Sequence, residues 1–219
     1  MIINKQNVEY LYGYGNDLAV VNAARVSFDK YVTGEIQPKD EKLISYLAKN
    51  KHWTPFAHAG ATFRVKAPIF VSRQLVKHQV GLVWNEVSRR YVDSEPEFYF
   101  PATWRARAAN AKQGSGEDLS GMHSLVCDDM LEDLCLISLN YYKEALERGV
   151  APEQARMMLP QNTMTEWIWT GSLAAWARVC NLRLDPHAQQ ETRDVAKMIS
   201  DLMEPLFPVS WKVLVNESV

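Results

Sequence analysis

Basic side chains are concentrated between residues 64 and 91, in a stretch that is otherwise rich in apolar residues. It contains one acid, Glu86, against six basic residues, which are Arg64, Lys66, Arg73, Lys77, Arg89 and Arg90. Apolar residues such as Phe70 and Trp84 interrupt the charges, so the stretch is not predicted to form a fully solvated basic face. Arginine among apolar groups is typical of sites that hold phosphate through paired hydrogen bonds. The stretch therefore predicts a site for an anionic ligand.

A second group of polar residues lies in the sequence RVCNLRLDPHAQQE, residues 178–191. Arg178 and Arg183 fall near the end of one predicted helix. Asp185, followed by proline, is typical of an N-cap, and His187 then falls in the first turn of the next helix. Taken alone, this pattern predicts only a capped helix with an exposed histidine.

Several common functional sites are not indicated. The five histidines contain no HxH or HExxH pattern, so no metal site is expected, and no Walker A or GxGxxG motif is present. Cys127, Cys135 and Cys180 are odd in number and lack CxxC spacing, which predicts neither a disulfide framework nor a structural zinc site. Arg156 stands alone in the apolar sequence ARMMLP, where a buried structural ion pair is the simpler interpretation.

Composition limits the function classes further. The chain has 219 residues, 47% hydrophobic and 23% charged, with a formal net charge of -2. Near-neutral charge argues against a dedicated nucleic-acid-binding protein, which usually has a basic excess over a whole face. No apolar segment reaches membrane-spanning length, and the first residues lack a secretory pattern. We expect a protein that binds neither nucleic acid nor membrane and functions in the cytoplasm, where unpaired cysteines persist.

The chemistry-bearing residues must be positioned by an irregular mixture of helices and strands. Pro68 is predicted to open a helix that runs to about residue 79, and residues 82–91 are predicted to be a loop. Lys112 to Gly121, KQGSGEDLSG, resembles a mobile surface loop. The predicted strands span residues 2–14, 61–66, 98–100 and 163–170. The remaining predicted helices span residues 18–28, 39–49, 122–148, 152–158, 172–181 and 187–203.

This order of elements predicts the fold class. Helices outnumber strands and do not alternate regularly with them, so an α+β fold is expected rather than a parallel α/β fold. The length is within the range of one domain, and we predict a single domain over residues 1–219.

Five segments in order resemble the flavin-dependent thymidylate synthases. That family has a signature that begins with Arg-His-Arg and closes with Asn-Glu, Ser-x-Arg-Tyr; this chain has Lys77-His78-Gln79 and then Asn85-Glu86-Val87-Ser88-Arg89-Arg90-Tyr91. The closing half matches fully, whereas both flanking arginines of the opening half are replaced and the spacing is one residue longer. The other four segments are TPFAH (54–58), FRVKAPIFVSRQ (63–74), ARMMLP (155–160) and NLRLDPHAQ (181–189).

The resemblance implies a reaction and an assembly. The family methylates dUMP to dTMP, with 5,10-methylenetetrahydrofolate as the carbon donor and FAD, reduced by NADPH, as the hydride source. It works as a homotetramer in which several subunits contribute to each active site. Its fold is α+β, with a central antiparallel-type sheet flanked by helices.

The resemblance also assigns roles to individual positions. Arg183 matches the catalytic residue that polarises the uracil ring and also contacts dUMP. The other positions matching dUMP contacts are Gln74, Lys77, Glu86, Ser88, Arg89, Arg90 and Arg156, of which Gln74 and Lys77 would come from another subunit. The positions matching FAD contacts are Thr54, Lys77, His78, Gln79, Glu86, Ser172, Ala174, Arg178 and His187.

Four of these positions depart from the familiar pattern. Lys77 retains the charge of arginine without its bidentate fork, and Gln79 loses the charge. Ser172 and Ala174 stand where the family has a longer polar residue and a basic residue. The resemblance thus implies that FAD is bound, with a looser grip than in the family.

Three other interpretations stay open from the residues. Ser88 could be a nucleophile, although no histidine lies near it in sequence to act as a base, and substrate binding is the favoured role. Cys180 could serve a folate-only, cysteine-dependent thymidylate synthase, although its helical context WARVCNLR is more typical of a buried residue. The basic and aromatic residues of 64–91 could form a nucleic-acid-binding module.

Overall fold

The chain folds into helices and a small number of strands, as seen in a computed structural model that describes residues 1–109 and 114–215. The strands are β1 (Ile2–Ile3), β2 (Asn7–Tyr14), β3 (Gly60–Pro68), β4 (Leu82–Glu86), β5 (Glu97–Phe98) and β6 (Met164–Ser172). The helices are α1 (Asp17–Arg25), α2 (Pro38–Lys49), α3 (Ile69–Leu75), α4 (Met122–Glu147), α5 (Pro152–Ala155), α6 (Leu173–Arg183), α7 (Gln190–Met203) and α8 (Pro208–Leu214). Short 3₁₀ turns lie at Val26–Phe28, Thr54–Ala57 and Arg156–Met158.

The central sheet has four strands in the order β2-β3-β6-β4. β1 and β5 form a separate parallel pair, in which Ile2 is opposite Glu97 and Ile3 is opposite Phe98. The predicted α+β class, with an antiparallel sheet flanked by helices, is confirmed.

Contacts between Cα atoms divide the chain into two compact units, each assembled from three stretches of sequence. The first unit comprises Met1–Asn7, Val65–Leu75 and Asn85–Trp167. The second unit comprises Val8–Arg64, Val76–Trp84 and Ile168–Val219. The single domain predicted over residues 1–219 stays a prediction.

Aromatic side chains fill the core of the second unit. The buried ring of Trp176 packs edge-on against Phe63, with centroids 5.0 Å apart, and against Trp169, at 4.9 Å. Its Nε1 donates a hydrogen bond of 3.0 Å to the carbonyl of Ala61, so the indole is satisfied as well as buried. α6 is thereby fixed to β3 and β6, and this fixes the direction in which its later residues point.

The long helix α4 has one buried face and one exposed face in the first unit. Cys135, Leu139 and Tyr142 are buried, and the first two pack with Phe98 of β5. An outer α4 face of large apolar residues remains between 46 and 72% exposed; its residues are Met122, Val126, Met130, Leu134, Ile137 and Tyr141. Their spacing of three or four residues places them in a single stripe.

Two local predictions are corrected. Residues 82–86 form β4 rather than a loop, because pairing with β6 supplies the hydrogen bonds of a strand whose residues Leu82 and Trp84 are half-buried. The helix after Pro68 begins at Ile69 and ends at Leu75, four residues earlier than expected. The described part of the predicted surface loop at 112–121 is irregular and mostly exposed, with an isolated bridge between Asp118 and Arg105; residues 112 and 113 lie outside the described residues.

Sequence reasoning missed helix α8, whose start depends on a distant side chain. The buried carboxylate of Asp17 in α1 accepts hydrogen bonds of 2.9 Å from the backbone N–H groups of Val209 and Ser210. These groups belong to the first turn of α8, where Pro208 has no N–H to satisfy. A carboxylate 191 positions away from Pro208 therefore caps the helix, and no local pattern reveals it.

We predict that Asp17→Ala lowers the free energy of unfolding by about 2–4 kcal/mol, because a buried and a part-buried N–H group lose their carboxylate acceptor. Chemical denaturation followed by circular dichroism measures this change. Asp201→Ala is a suitable control, since Asp201 forms an exposed i,i+4 pair with Lys197 and its loss is expected to cost less than about 0.5 kcal/mol. Equal effects of the two substitutions would contradict a capping role for Asp17.

Candidate active site

Helix α6 holds the loop of residues 77–81, and this attachment organises the candidate site in the second unit. Ser172, the N-cap of α6, donates its backbone N–H to the carbonyl of Gly81 over 3.2 Å. The guanidinium of Arg178 donates to the carbonyl of Val80. Arg183 donates from Nε to Nε2 of His78 over 2.9 Å. Three hydrogen bonds thus attach the loop at three successive levels of the helix.

Gly81 makes this close approach possible, and sequence reasoning did not single it out. Its φ is +76°, in the left-handed region that favours glycine. A Cβ added here would lie 3.1 Å from Cβ of Ala175 and 3.3 Å from Oγ of Ser172. Any other residue would be strained and crowded. A glycine directly after a predicted helix was the signal available in the sequence.

The pair of His78 and Arg183 is half-buried, and burial changes its protonation chemistry. Burial, together with the positive charges of Arg183 and Arg178, lowers the pKa of His78 to about 4. Burial also lowers the pKa of Arg183 from its ordinary value, but arginine remains protonated in proteins. His78 is therefore neutral at physiological pH, and the lone pair of its Nε2 accepts the hydrogen bond that Nε–H of Arg183 donates.

The structure gathers most residues expected to contact FAD in this unit. Lys77, His78 and Gln79 lie on the attached loop, and Ser172, Ala174 and Arg178 lie on the first two turns of α6. Thr54 opens the 3₁₀ turn of residues 54–57, beside which the backbone N–H of Leu173 donates to Ala59 over 2.7 Å. Glu86, also expected at the flavin, belongs to the first unit.

His187 lies in a turn and not in a helix, which corrects the expected position of the helix start. α7 begins at Gln190 with Gln189 as its N-cap. Asp185 still accepts hydrogen bonds, but from the backbone N–H of His187, over 2.7 Å, and it contacts the ring Nδ1 at 3.0 Å. The aspartate thus stabilises a local turn, a conformation that its short side chain favours as readily as a helix N-cap.

The residues of this unit fit a cofactor that carries phosphates. Lys77 and Arg178 are exposed cations, and the N-terminal end of the eleven-residue helix α6 adds a favourable dipole. Ser172, in turn, uses its hydroxyl to cap Ala175 over 3.3 Å, and Ala174 has no polar side chain to offer. The fit therefore depends on Lys77, Arg178 and the loop backbone more than on Ser172 or Ala174.

The first unit contains most positions expected to bind dUMP. Three of them, Glu86, Arg89 and Arg156, line a cleft of about 370 Å³. The other members in this unit are Gln74 at the end of α3, and Ser88 and Arg90 beside Arg89. Lys77 and Arg183 belong to the second unit. The six basic residues of 64–91 are likewise divided, with Arg64 and Lys77 in the second unit and the others in the first.

Carboxylates balance the charge of the cleft. Lys66 on its wall pairs with Glu97 over 2.6 Å, and Glu95 pairs with Lys143 over 2.7 Å. Burial by itself raises the pKa of Glu97, but hydrogen bonds from Lys66 and Asn4 hold that pKa below its usual value. The cations of the cleft that are not in these ion pairs are Arg89 and Arg156. Arg89 donates to the carbonyl of Ser94 over 2.9 Å, and Arg156 donates to that of Glu153 over 3.1 Å.

Arg156 is exposed, which corrects the simpler interpretation of a buried structural ion pair. Its Nε contacts a neutral backbone carbonyl, so the guanidinium keeps its net charge. Glu86, the acid of this stretch, accepts a hydrogen bond of 2.7 Å from the hydroxyl of Thr165 on β6.

Ser88 serves as an acceptor for its neighbour. Its Oγ receives hydrogen bonds from the backbone N–H and from Nε of Arg90, at 3.3 and 3.2 Å. The guanidinium of Arg90 lies 5.0 Å from the ring centroid of Tyr91. A serine nucleophile requires a base that takes its proton, whereas here the hydroxyl faces a cation. The geometry supports a binding role for Ser88.

Cys180 has the properties of a core residue. It is fully buried in α6, and its Sγ contacts the carbonyl of Ala196 at 3.7 Å. Burial, with the nearby charge of Asp201, raises the pKa of the Cys180 thiol far above its ordinary value. A nucleophilic cysteine requires an accessible thiolate, so this environment argues against such a role.

We predict that His78 titrates with a pKa of about 4 in the folded protein and that Arg183→Gln moves this pKa upwards. The increase is expected to be partial, because burial is the largest cause of the shift and remains in the variant. NMR titration of the histidine ring protons measures both values, with His78→Gln to assign the resonance. An unchanged value in Arg183→Gln would contradict the electrostatic contribution of Arg183.

The same shift has a consequence for stability. An unfolded histidine binds its proton near pH 6.5, whereas folded His78 does so only near pH 4. Between these values the unfolded state holds more protons, so the free energy of unfolding falls as the pH is lowered through this window. His78→Gln is expected to flatten that part of the stability curve.

Comparisons with known proteins find relatives that match most of the chain. The family model described as thymidylate synthase complementing protein matches residues 9–209. A flavin-dependent thymidylate synthase of Thermosipho africanus is 36% identical over 98% of this chain and 93% of its own length. One from Thermus thermophilus is 37% identical over 96% of this chain and 76% of its own.

Solved structures give the same result. The UMP/dUMP methylase PolB from Streptomyces cacaoi, bound with 5-Br dUMP, superposes with a TM-score of 0.86 and 29% identity, covering 97% of this chain and 95% of that one. The same methylase with 5-Br UMP also gives a TM-score of 0.86. Sequence and fold agree over nearly the whole length, and the chain belongs to the flavin-dependent thymidylate synthase family.

Proposed function

We propose that this protein methylates C5 of dUMP to give dTMP, with 5,10-methylenetetrahydrofolate as the carbon donor and FAD, reduced by NADPH, as the hydride source. The observation that carries the proposal is Arg183, a half-buried cation at the end of α6 whose Nε donates a hydrogen bond to the neutral ring of His78. Membership of the family supports the reaction class.

Arg183 is the proposed catalytic side chain. A fixed guanidinium near N3 and the adjacent carbonyl of uracil favours the ionised pyrimidine, because negative charge is stabilised where it develops. Ionisation at N3 makes C5 more nucleophilic. Partial burial strengthens this effect, since the field of a cation is screened less away from bulk water.

The nucleotide phosphate is assigned to arginines of the first unit. Arg89 and Arg156 line one cleft, and Arg90, held by Ser88, follows directly in the chain. Arginine binds phosphate through two parallel hydrogen bonds. Glu86 accepts hydrogen bonds and is assigned to the sugar or base side of the nucleotide, while Gln74 and Lys77 are assigned to a neighbouring subunit's site.

FAD, when bound, supplies the hydride that completes the methyl group. We assign it to Thr54, Lys77, His78, Gln79, Ser172, Ala174, Arg178 and His187 of the second unit, and to Glu86. Lys77 and Arg178 are the cations available for its phosphates. The neutral Gln79, the engaged hydroxyl of Ser172 and the apolar Ala174 support a weaker grip on the cofactor than three longer polar side chains would provide.

Two other functions are less well supported. A cysteine-dependent thymidylate synthase requires a reactive thiol, but Cys180 is buried and its pKa is raised. A nucleic-acid-binding module requires a continuous basic face, but the basic residues of 64–91 are divided between the units and Lys66 is paired with Glu97.

We predict tritium release from 5-tritiated dUMP only when FAD, NADPH and methylenetetrahydrofolate are all present. Cys180→Ser is expected to retain at least about half of this activity, because the thiol takes no part, and Arg183→Gln to lose about 100-fold or more. A parallel assay with 5-tritiated UMP examines the wider substrate range named for the Streptomyces cacaoi methylase. No release under complete conditions, or loss of activity in a folded Cys180→Ser variant, would count against the proposal.

We also propose a homotetramer. Exposed apolar stripes of this size are unusual on monomers and commonly mark protein–protein contacts. The outer α4 face supplies such a stripe in the first unit. The three free cysteines support a reducing compartment, and the cytoplasm is the proposed location. No helix within the described residues is long and apolar enough to cross a membrane.

We predict that Met130→Lys weakens assembly, because the substitution introduces a charge into the outer α4 face. Size-exclusion chromatography with light scattering is expected to show a tetramer for the unaltered chain and smaller species for Met130→Lys. Glu132→Lys places a lysine at an exposed position of α4 that points away from this face and is expected to leave the mass unchanged. A monomeric unaltered chain would contradict the tetramer, and a tetrameric Met130→Lys would exclude this face from the interface.

A further inference from the structure

We propose that His78 is a positioning residue for Arg183, which sets the direction of the catalytic guanidinium while leaving its charge intact. This inference rests on the proposed function, since it concerns how Arg183 reaches the pyrimidine. It goes beyond contact with the flavin, the role that the family resemblance gives to position 78.

The geometry of the hydrogen bond supports the role. Nε of Arg183 donates to Nε2 of His78 over 2.9 Å. The Nε–H bond lies in the plane of the guanidinium, and this plane is rigid. Fixing the donor direction at Nε therefore restricts rotation of the whole group, including its two terminal nitrogens. Arg183 is the last residue of α6, so the helix holds its backbone and the hydrogen bond to His78 holds its side chain at Nε.

His78 is itself held in place, because the loop that carries it is also bonded to α6 through Val80 and Gly81. The carbonyls of Val80 and Gly81 accept hydrogen bonds from Arg178 and from the backbone of Ser172. The loop lies so close to the helix at Gly81 that an added Cβ would come within 3.1 Å of Cβ of Ala175. The imidazole of His78 is thus carried on a segment that is fixed to the same helix as its partner.

A neutral hydrogen-bond acceptor suits Arg183 better than an acidic one. A carboxylate would hold a guanidinium more strongly, but it would also cancel most of the field that the pyrimidine is to feel. A neutral imidazole accepts the same hydrogen bond without adding a negative charge. The charged groups known to act on His78 are Arg183 and Arg178, both positive, and together with burial they keep the ring neutral.

Three substitutions of His78 separate its positioning of Arg183 from effects on folding and on FAD binding. The amide oxygen of Gln extends about as far as Nε2 of histidine, whereas that of Asn extends only about as far as Nδ1. His78→Gln can therefore restore an acceptor for Arg183, while His78→Asn and His78→Ala cannot. Thermal melting by circular dichroism confirms that the three variants fold, and flavin titration shows whether each retains FAD.

The first measurement is the kinetics of dTMP formation. His78→Asn and His78→Ala are expected to lower kcat by about 10- to 100-fold with little change in KM for dUMP, the effect of losing a hydrogen bond to a charged group that matters in the transition state. His78→Gln is expected to recover most of this loss. Equal activity of the Gln and Asn variants, at equal flavin occupancy, would overturn the proposal.

The second measurement needs no turnover. 5-Fluoro-dUMP, whose fluorine brings N3 ionisation closer to neutral pH, changes its ultraviolet spectrum when N3 loses its proton. Bound without folate, it is expected to ionise at lower pH in the unaltered protein and His78→Gln than in His78→Asn, His78→Ala and Arg183→Gln. An unchanged ionisation in Arg183→Gln would instead contradict the role of Arg183 in the proposed function. A shift in Arg183→Gln but in none of the His78 variants would overturn the positioning role alone.

Discussion

The attachment of residues 77–81 to helix α6 is the constraint on which the candidate site depends. Three hydrogen bonds make this attachment, from Ser172, Arg178 and Arg183, and the left-handed backbone at Gly81 permits it. The loop and α6 are about 90 residues apart in sequence, so their contact depends on the fold and not on the order of the chain. Through the attachment, Arg178 and Arg183 both bind the same short loop, at Val80 and at His78.

The aromatic core of the second unit makes that constraint stable. Trp176 of α6 is buried against Phe63 and Trp169 and hydrogen-bonded to the backbone of β3. A helix fixed in this way presents Arg178 and Arg183 from a rigid element, and rigid support is what electrostatic catalysis requires, since preorganised charges need not reorient during reaction. The core and the site are therefore parts of one arrangement, in which large rings fix the helix and the helix fixes the charges.

Charge is arranged differently at the two candidate sites. On α6 of the second unit, Arg178 contacts a backbone carbonyl and Arg183 contacts a neutral imidazole. In the first unit several charges are paired with each other, as in Lys66 with Glu97 and Lys143 with Glu95. Paired charges shape a cleft without giving it a strong net field, whereas a cation held by neutral groups keeps its field for a ligand.

The sequence by itself determined the fold class, the family resemblance and most elements with strong local patterns, such as the long helix predicted at 122–148 and the strand predicted at 163–170. These features depend on neighbours in the chain. Only the tertiary structure decided that residues 82–86 form a strand, that α8 is capped by Asp17, that α7 starts at Gln190, and that His78 contacts Arg183. Each of these depends on a partner distant in sequence, whether a strand, a carboxylate or a ring. A local sequence pattern does not specify which distant group makes that contact.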